Sequence, residues 1–497
     1  MQSVSIIGSG ISGLVASCFL AKSGCDVTVY EKNTTIGGRA RVLSEGGFTF
    51  DMGPSWYWMP DVYEDFFSQF GKSASDYYQL KQLDPGFQII YSNTDVLKVP
   101  ASMEQLRVVF EEREPGSARQ LEKFLREAAF KYNIGMKDLV RTPAYSWMEF
   151  VRLPVLRSVF KMNLFSSVRS YVRRYFKDPG LIALLEFPVL FLGAMPDNIP
   201  ALYTLMNHAA LSQGTFYPMG GMGKVISGIS ELASSLGVAI KTASAVNHIF
   251  AAGGKVDGLD VNGRIVPTDA VIAAADYYHV EQQLLQAPFR NYAERYWEEK
   301  TLAPSCLVYY VGVRKVLPGL EHHNLFFDSD FEQHARDIYS RPTWPADPLF
   351  YVCCPSKTDP SVAPPGHENL FILIPVAPGL KEEDGIRDVY FDKVIDKIES
   401  YCGLRFREDI SVKQDYGIRD FIRDYHAFKG NAYGLANTLM QTAVFKPSLR
   451  NKKVENLFYT GQLTVPGPGL PPAIISGEIA ARQLIKQLKT KKNENAF

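Results

Sequence analysis

A glycine turn set between two strand-like runs constrains this chain more than any other feature. Val4-Ser5-Ile6-Ile7 is a short apolar run that opens directly onto Gly8-Ser9-Gly10-Ile11-Ser12-Gly13. A helical pattern follows, then Val27-Thr28-Val29-Tyr30, ending on Glu31. Gly8 permits the tight exit from the strand, Gly10 lets the backbone approach a pyrophosphate, and Gly13 allows the helix to lie close on the strand. The helix N-terminus offers unpaired N–H groups and a partial positive charge to phosphate. Glu31 stands 23 residues after Gly8. At that spacing a carboxylate accepts from ribose hydroxyls and disfavours a 2′-phosphate. The bland alternative, an ordinary strand–turn–helix, leaves the acidic partner unexplained.

A second turn, Gly37-Gly38-Arg39-Ala40-Arg41, follows six residues later. A glycine doublet with a cation so soon after the ribose carboxylate suits an extended dinucleotide whose pyrophosphate is touched from two sides. That indicates FAD rather than a nicotinamide cofactor, with Arg39 as the cation. The alternative for Arg39 and Arg41 is a solvated loop pair. Near the other end, Asn456-Leu457-Phe458-Tyr459-Thr460-Gly461 reads as a strand ending at glycine. The turn Gly467 to Pro472 and a helix from Ala473 to Leu488 come next. A helix N-terminus there can face the flavin's pyrimidine carbonyl and stabilise negative charge on the reduced ring. Val246 falls where a strand edge can pair its backbone with adenine. The expected cofactor set is Gly8, Gly10, Gly13, Glu31, Lys32, Gly38, Arg39, Gly53, Val246, Gly461 and Leu470.

The 53 basic and 53 acidic residues cancel, so nothing steers the chain globally toward nucleic acid. The six cysteines form no C-x-x-C pair, and no histidine is spaced around them as a metal ligand would be, so no metal site is expected. This cysteine usage fits a reducing compartment. With the first strand starting at residue 3 or 4, no room is expected for a signal or transit peptide. The longest apolar stretch, Leu181 to Met195, is broken by Glu186 and Pro188 and is shorter than the ~20 residues that span a bilayer.

The order of the patterns implies an α/β fold with a discontinuous Rossmann-like FAD-binding domain built from 1–75, 215–285 and 445–490. A sheet-floored substrate-binding domain takes 76–102 and 286–444. A helical insertion, 103–214, holds Ser117 as an expected N-cap. Between Arg141 and Lys177 eight basic residues face only Glu149, interleaved with Trp147, Phe150, Leu153, Leu156, Phe160 and Phe165. On one helical segment this suits the surface of an anionic bilayer; the alternative is an amphipathic helix with a basic outer face. The loop Gly53-Pro54-Ser55-Trp56-Tyr57-Trp58-Met59-Pro60 is either a satellite core or a wall of the flavin and substrate path.

These residues resemble the bacterial and fungal type of carotenoid desaturase, typified by phytoene desaturase, within the flavin amine oxidase superfamily. The likeness runs almost the whole length. It is carried by Gly8-x-Gly10-x-x-Gly13, Glu31, Gly37-Gly38-Arg39-Ala40, Phe50-Asp51-x-Gly53-Pro54, Tyr217-Pro218-x-Gly220-Gly221-Met222 and Ala274-Ala275-Asp276. Further carriers are Thr358-Asp359-Pro360-Ser361 and Pro466-Gly467-x-Gly469-x-Pro471. The family usually has Thr-His before that last turn, where this chain reads Gln462-Leu463-Thr464-Val465.

The resemblance implies FAD-dependent desaturation of phytoene toward carotenes such as lycopene. The alternatives are a later-pathway enzyme, such as a hydroxycarotenoid 3,4-desaturase, and a carotenoid isomerase. It implies a C40 polyene held in an apolar tunnel, quinone or oxygen as terminal acceptor, and peripheral attachment to the cytoplasmic side of the cell membrane. Removing hydrogen beside a double bond needs loss of a hydride and of a proton. It therefore needs alignment and exclusion of water rather than a strong nucleophile. No catalytic base is assigned from the sequence; Asp138 and Glu149 are the candidates, while Asp51 and Asp276 read as strand-end carboxylates bonding backbone. An amine oxidase and a flavin-free carrier on the same scaffold are the rival classes.

Overall fold

The computed structural model describes residues 1–150 and 162–494. Strand β1 (Ser3–Ile7), helix α1 (Ile11–Lys22) and strand β2 (Asp26–Tyr30) form the opening βαβ unit. β1 is central in a five-stranded sheet with Leu457–Tyr459 and Ala270–Ala273 on one side and β2 and Ala239–Lys241 on the other. Every pairing is parallel, and Ile6 lies in register with Val29 and with Ile272. A parallel sheet needs cover on both faces, and this explains why α1 is buried at every position from Ile11 to Leu20. It lies between the sheet and the helices Gly223–Ser235 and Leu470–Glu494. The last of these approaches so closely that a Cβ on Gly477 would stand 2.4 Å from the Ser12 carbonyl oxygen.

A second sheet of seven strands runs in the order Ile410–Tyr416, Ser305–Val313, Glu368–Val376, Phe350–Cys353, His323–Phe326, Phe87–Ile90, Val96–Val99. Ser305–Val313 is buried at all nine positions, with alternate residues serving two cores. Leu307, Tyr309 and Val311 pack with Phe391, Val394 and Ile398 of the helix Ile386–Cys402. Cys306, Val308 and Tyr310 face the other way and join the main core. Residues 246–267 add a three-stranded antiparallel meander.

The described residues between 103 and 213 are mainly helical, in keeping with their periodicity. Ser102 caps Met103–Arg113 by accepting from the Gln105 N–H. Ser117 does not cap the next helix. It is the first helical residue, Gly116 takes the cap with φ 86°, and the Glu111 carboxylate accepts from Gly116 N at 2.7 Å and Ala118 N at 3.1 Å. A carboxylate from the preceding helix therefore satisfies the N–H groups that a serine cap would have taken.

The basic stretch 141–177 is not one continuous helix among the described residues. It holds a short turn, Trp147–Phe150, and the helix Val168–Val172, with 151–161 outside them. Arg141 pairs with Glu478 at 2.8 Å and Asp65 at 3.1 Å, and Arg169 with Asp197 at 2.8 Å and Glu332 at 2.5 Å. These two cations serve the fold. Phe165 and Met148 are exposed, at 91% and 82%. No described helix is long and apolar enough to cross a membrane.

Candidate functional site

A cavity of about 650 Å³ runs from the opening βαβ unit to the floor of the seven-stranded sheet. Ten of the eleven residues expected to hold the cofactor line it: Gly8, Gly10, Glu31, Lys32, Gly38, Arg39, Gly53, Val246, Gly461 and Leu470. Gly13 does not, because its role is packing. A Cβ there would lie 2.2 Å from the Gly8 carbonyl oxygen and 3.0 Å from the Ala274 methyl. Gly8 itself adopts φ 100°, which only glycine takes without strain.

The cradle at the helix start suits a phosphate. Gly10 occupies the N-cap of α1 without any side-chain cap, so its first N–H groups are open to an anion. Glu31 is 5% exposed and is held by both Ser9 N–H and Ser9 Oγ at 2.9 Å and by Asn33 N–H at 2.9 Å. Those bonds fix the carboxylate at the end of β2, on the cavity wall.

Arg39 is not a solvated loop residue. Its guanidinium is buried, lies 5.0 Å from the Tyr425 ring and leaves Nε without a partner. Burial lowers its proton affinity, while Asp276 opposes that shift. An orphaned, buried guanidinium nitrogen on the wall of a dinucleotide cradle is the feature a pyrophosphate oxygen would satisfy. The groups present therefore fit FAD. Arg41 is committed elsewhere, to an ion pair with Asp424, and is 15% exposed. With its amide oriented to suit its neighbours, Gln462 accepts from Arg39 at 3.1 Å, so the first and last chemical motifs touch.

Three of the motif carriers meet in one knot. Asp51 accepts from Met222 N at 2.7 Å and Gly223 N at 3.0 Å, and Asp359 accepts from Gly220 N at 2.6 Å. Burial pushes the Asp51 carboxyl up to about 6 despite those two amides. Asp276 is likewise pushed up to about 6 by burial, and Arg39 pulls it back. Asp276 also accepts from His279 N at 3.3 Å. Both carboxylates bond backbone, Asp51 from the end of the strand Phe48–Asp51 and Asp276 as the N-cap of the helical turn Tyr277–His279.

The aromatic loop divides between its two readings. Trp56, Trp58 and Met59 line the cavity. Tyr57 turns into the core, stacked 4.2 Å on Tyr63 and bonded to the Tyr78 hydroxyl at 2.8 Å. Beyond the loop the cavity is walled by Cys306, Val308, Tyr351, Phe371, Leu373 and Tyr433. Burial pushes the Cys306 thiol well up, so it is a poor nucleophile.

Glu149, one of the two candidate bases, does not reach this wall. Glu149 accepts from Ala144 N at 3.0 Å and Tyr145 N at 3.1 Å, closing its own turn, and it is absent from the cavity lining. The Asp138 side chain lies outside the described ones. Sequence reading missed His279 and His426, which stack 3.8 Å apart on the cavity wall. It also missed His322, His323 and Cys353, whose donor atoms lie within 4.8 Å of one another behind the floor. His322 and His323 are neighbours in the chain, and the sheet register sets His323 opposite Cys353.

The flavin containing amine oxidoreductase family matches residues 11–485. The chain is 41% identical over 491 residues to a carotenoid 3,4-desaturase of Haloarcula japonica, covering 98% of this chain and 99% of that one. It is 30% identical over 498 residues to a 4,4'-diapophytoene desaturase of Staphylococcus haemolyticus, with the same coverage. Among solved structures, a putrescine oxidase triple mutant superposes with TM-score 0.66 at 13% identity, covering 98% of this chain and 99% of that chain. Cyclohexylamine oxidase from Brevibacterium oxydans gives 0.60 at 15%, with the same coverage, and both likenesses speak to the fold alone. The chain is an FAD-dependent oxidoreductase that belongs to the flavin-containing amine oxidoreductase family, within its carotenoid desaturase branch.

Proposed function

We propose that this protein desaturates a carotenoid, and that its substrate is a polyene already partly built, dehydrogenated near one end of the chain. The supporting observation is one cavity that joins a complete dinucleotide cradle to a wall of Trp56, Val308, Phe371 and Leu373. Such a wall excludes water and binds a hydrocarbon by burial, at roughly 25 cal/mol per Å² of apolar surface. Bound FAD would supply the hydride acceptor. Arg39 and the open N-terminus of α1 would hold its pyrophosphate, and Glu31 its ribose. The Leu470 helix start would face its ring.

The higher identity to a 3,4-desaturase than to the diapophytoene desaturases favours the later step over phytoene itself. Phytoene dehydrogenation is the second reading, supported by the 30% relatives across the full length. The reduced cofactor is proposed to pass its electrons to oxygen or quinone. Peripheral attachment to the cytoplasmic membrane surface is proposed on the exposed Met148 and Phe165 beside the basic stretch.

Incubation of the yellow protein with liposomes carrying phytoene, or carrying downstream and hydroxylated carotenes, tests the reading through the absorption spectrum. A red shift only with a later carotene supports the first reading. A shift with phytoene supports the second, and no shift with any carotene refutes both.

A further inference from the structure

The desaturation needs an acceptor for a proton as well as for a hydride, and one tyrosine of the cavity lining carries a hydroxyl in a chain of hydrogen bonds. Tyr351 lines the cavity beside Ser55, whose Oγ is 2.9 Å from the Tyr351 hydroxyl. On its far side the same hydroxyl lies 2.6 Å from Nδ1 of His323. It also contacts the Cys353 thiol. His323 is buried, and its Nε2 has no partner. Its ring is stacked on Trp56 at 4.1 Å and 12°.

On the desaturase reading above, we propose that Tyr351 is the catalytic residue that takes the proton from the substrate, and that His323 is the positioning residue that receives the tyrosine's own proton. The balance is complete. Bound FAD, held by Arg39 and Glu31, would supply the acceptor for one C–H electron pair as hydride. On the adjacent carbon a second C–H pair becomes the new C=C bond, and that proton goes to the Tyr351 oxygen. The tyrosine O–H proton passes to His323 Nδ1, and tyrosine is regenerated neutral with histidine as imidazolium. The proton returns through the same hydroxyl to water when product leaves and water takes its place.

Three features suit this role. An allylic cation is a very strong acid, so a weak and dry base is sufficient. Burial and the neighbouring His322 hold His323 well below the ordinary histidine range, so it rests neutral and gives the proton up after turnover. The Trp56 face, already parallel to the imidazole, stabilises the transient cation. In the resting protein Tyr351 must donate to Nδ1, which places the His323 proton on Nε2.

Tyr351→Phe and His323→Gln test this in the FAD-loaded protein by anaerobic flavin bleaching in a single turnover. Wild-type bleaching with a carotene establishes the reading on which the proposal rests; its absence refutes that reading, not the relay alone. Given wild-type bleaching, each variant is expected to slow the rate about 10²–10⁴-fold, the span of positioned acid–base catalysis. Flavin content and carotene affinity should stay at wild-type values. Unchanged bleaching in Tyr351→Phe overturns the proposal, and so does a loss confined to flavin or carotene binding. Histidine ¹⁵N NMR of the resting protein supplies a readout independent of turnover. A neutral Nε2–H tautomer at His323 supports the relay. A proton on Nδ1, or a stoichiometric metal ion on His323, overturns it.

Discussion

A β-carbon on Gly13 would sit 2.2 Å from the carbonyl oxygen of Gly8, closer than any side chain tolerates. The first turn of α1 and the end of β1 are therefore locked together by the absence of one methyl group. Gly13→Ala has to push the helix off the strand, at about 1–3 kcal/mol of overpacking or more, and it tilts the N–H groups meant for phosphate. The expected outcome is a protein purified without yellow colour and with a lowered melting temperature. A yellow, equally stable variant contradicts this account of the turn.

Arg39 is expected to matter for affinity rather than for folding. Loss of a charge-assisted bond costs about 1.5–3 kcal/mol, which is roughly tenfold to hundredfold in dissociation constant. Fluorescence titration of apoprotein with FAD should show that weakening in Arg39→Ala. Arg39→Lys should recover part of it, because a point charge remains while the planar fork is lost.

Lys446 gives a pH signature. Its ammonium is buried, has no hydrogen-bond partner and is pushed down to about 7 by burial. Between pH 7 and the ordinary lysine range the unfolded chain holds a proton that the folded chain has released. Stability must therefore rise with pH across that window. Lys446→Met removes the penalty. Its melting temperature should exceed wild type most at or below pH 7, and the gap should close as pH approaches 10. A constant gap across the range would show that the amine is solvated.

Asp51 holds the start of the helix Gly223–Ser235 through two amides. Asp51→Ala leaves both without an acceptor, at about 1–3 kcal/mol. Denaturant unfolding should show that loss. Retention of the wild-type midpoint would argue against the knot.

The proposed membrane attachment can be tested by flotation. Phe165→Ser and Met148→Ser remove exposed apolar groups that the core does not use. Flotation with anionic vesicles should fall in the double variant while flavin content stays constant. Equal flotation would refute the proposed contact at these two residues.

The cofactor end of the cavity was legible in the sequence because its residues act through local spacing. Gly8, Gly10, Glu31 and Arg39 sit in one contiguous stretch whose turns dictate their geometry. The floor was not legible. Ser305–Val313 is buried on both faces, so its apolar run carries no alternation to reveal which residues face the cavity. Tyr351 and His323 meet because their strands pair antiparallel, with His323 opposite Cys353, a register no local pattern encodes. The Ser117 cap was misread for a related reason, since the satisfying carboxylate, Glu111, belongs to the preceding helix.

The central sheet carries a consequence for biogenesis. Its edge strand, Leu457–Tyr459, and the helix Leu470–Glu494 that covers α1 leave the ribosome long after β1 and α1 have done so. Until they emerge, Gly461 and Leu470 cannot complete the cradle and α1 has one face bare. A nascent chain must therefore wait, with apolar surface exposed, until these distant elements are made before it can capture a flavin. Early truncation products should be prey for chaperones and proteases rather than smaller working enzymes.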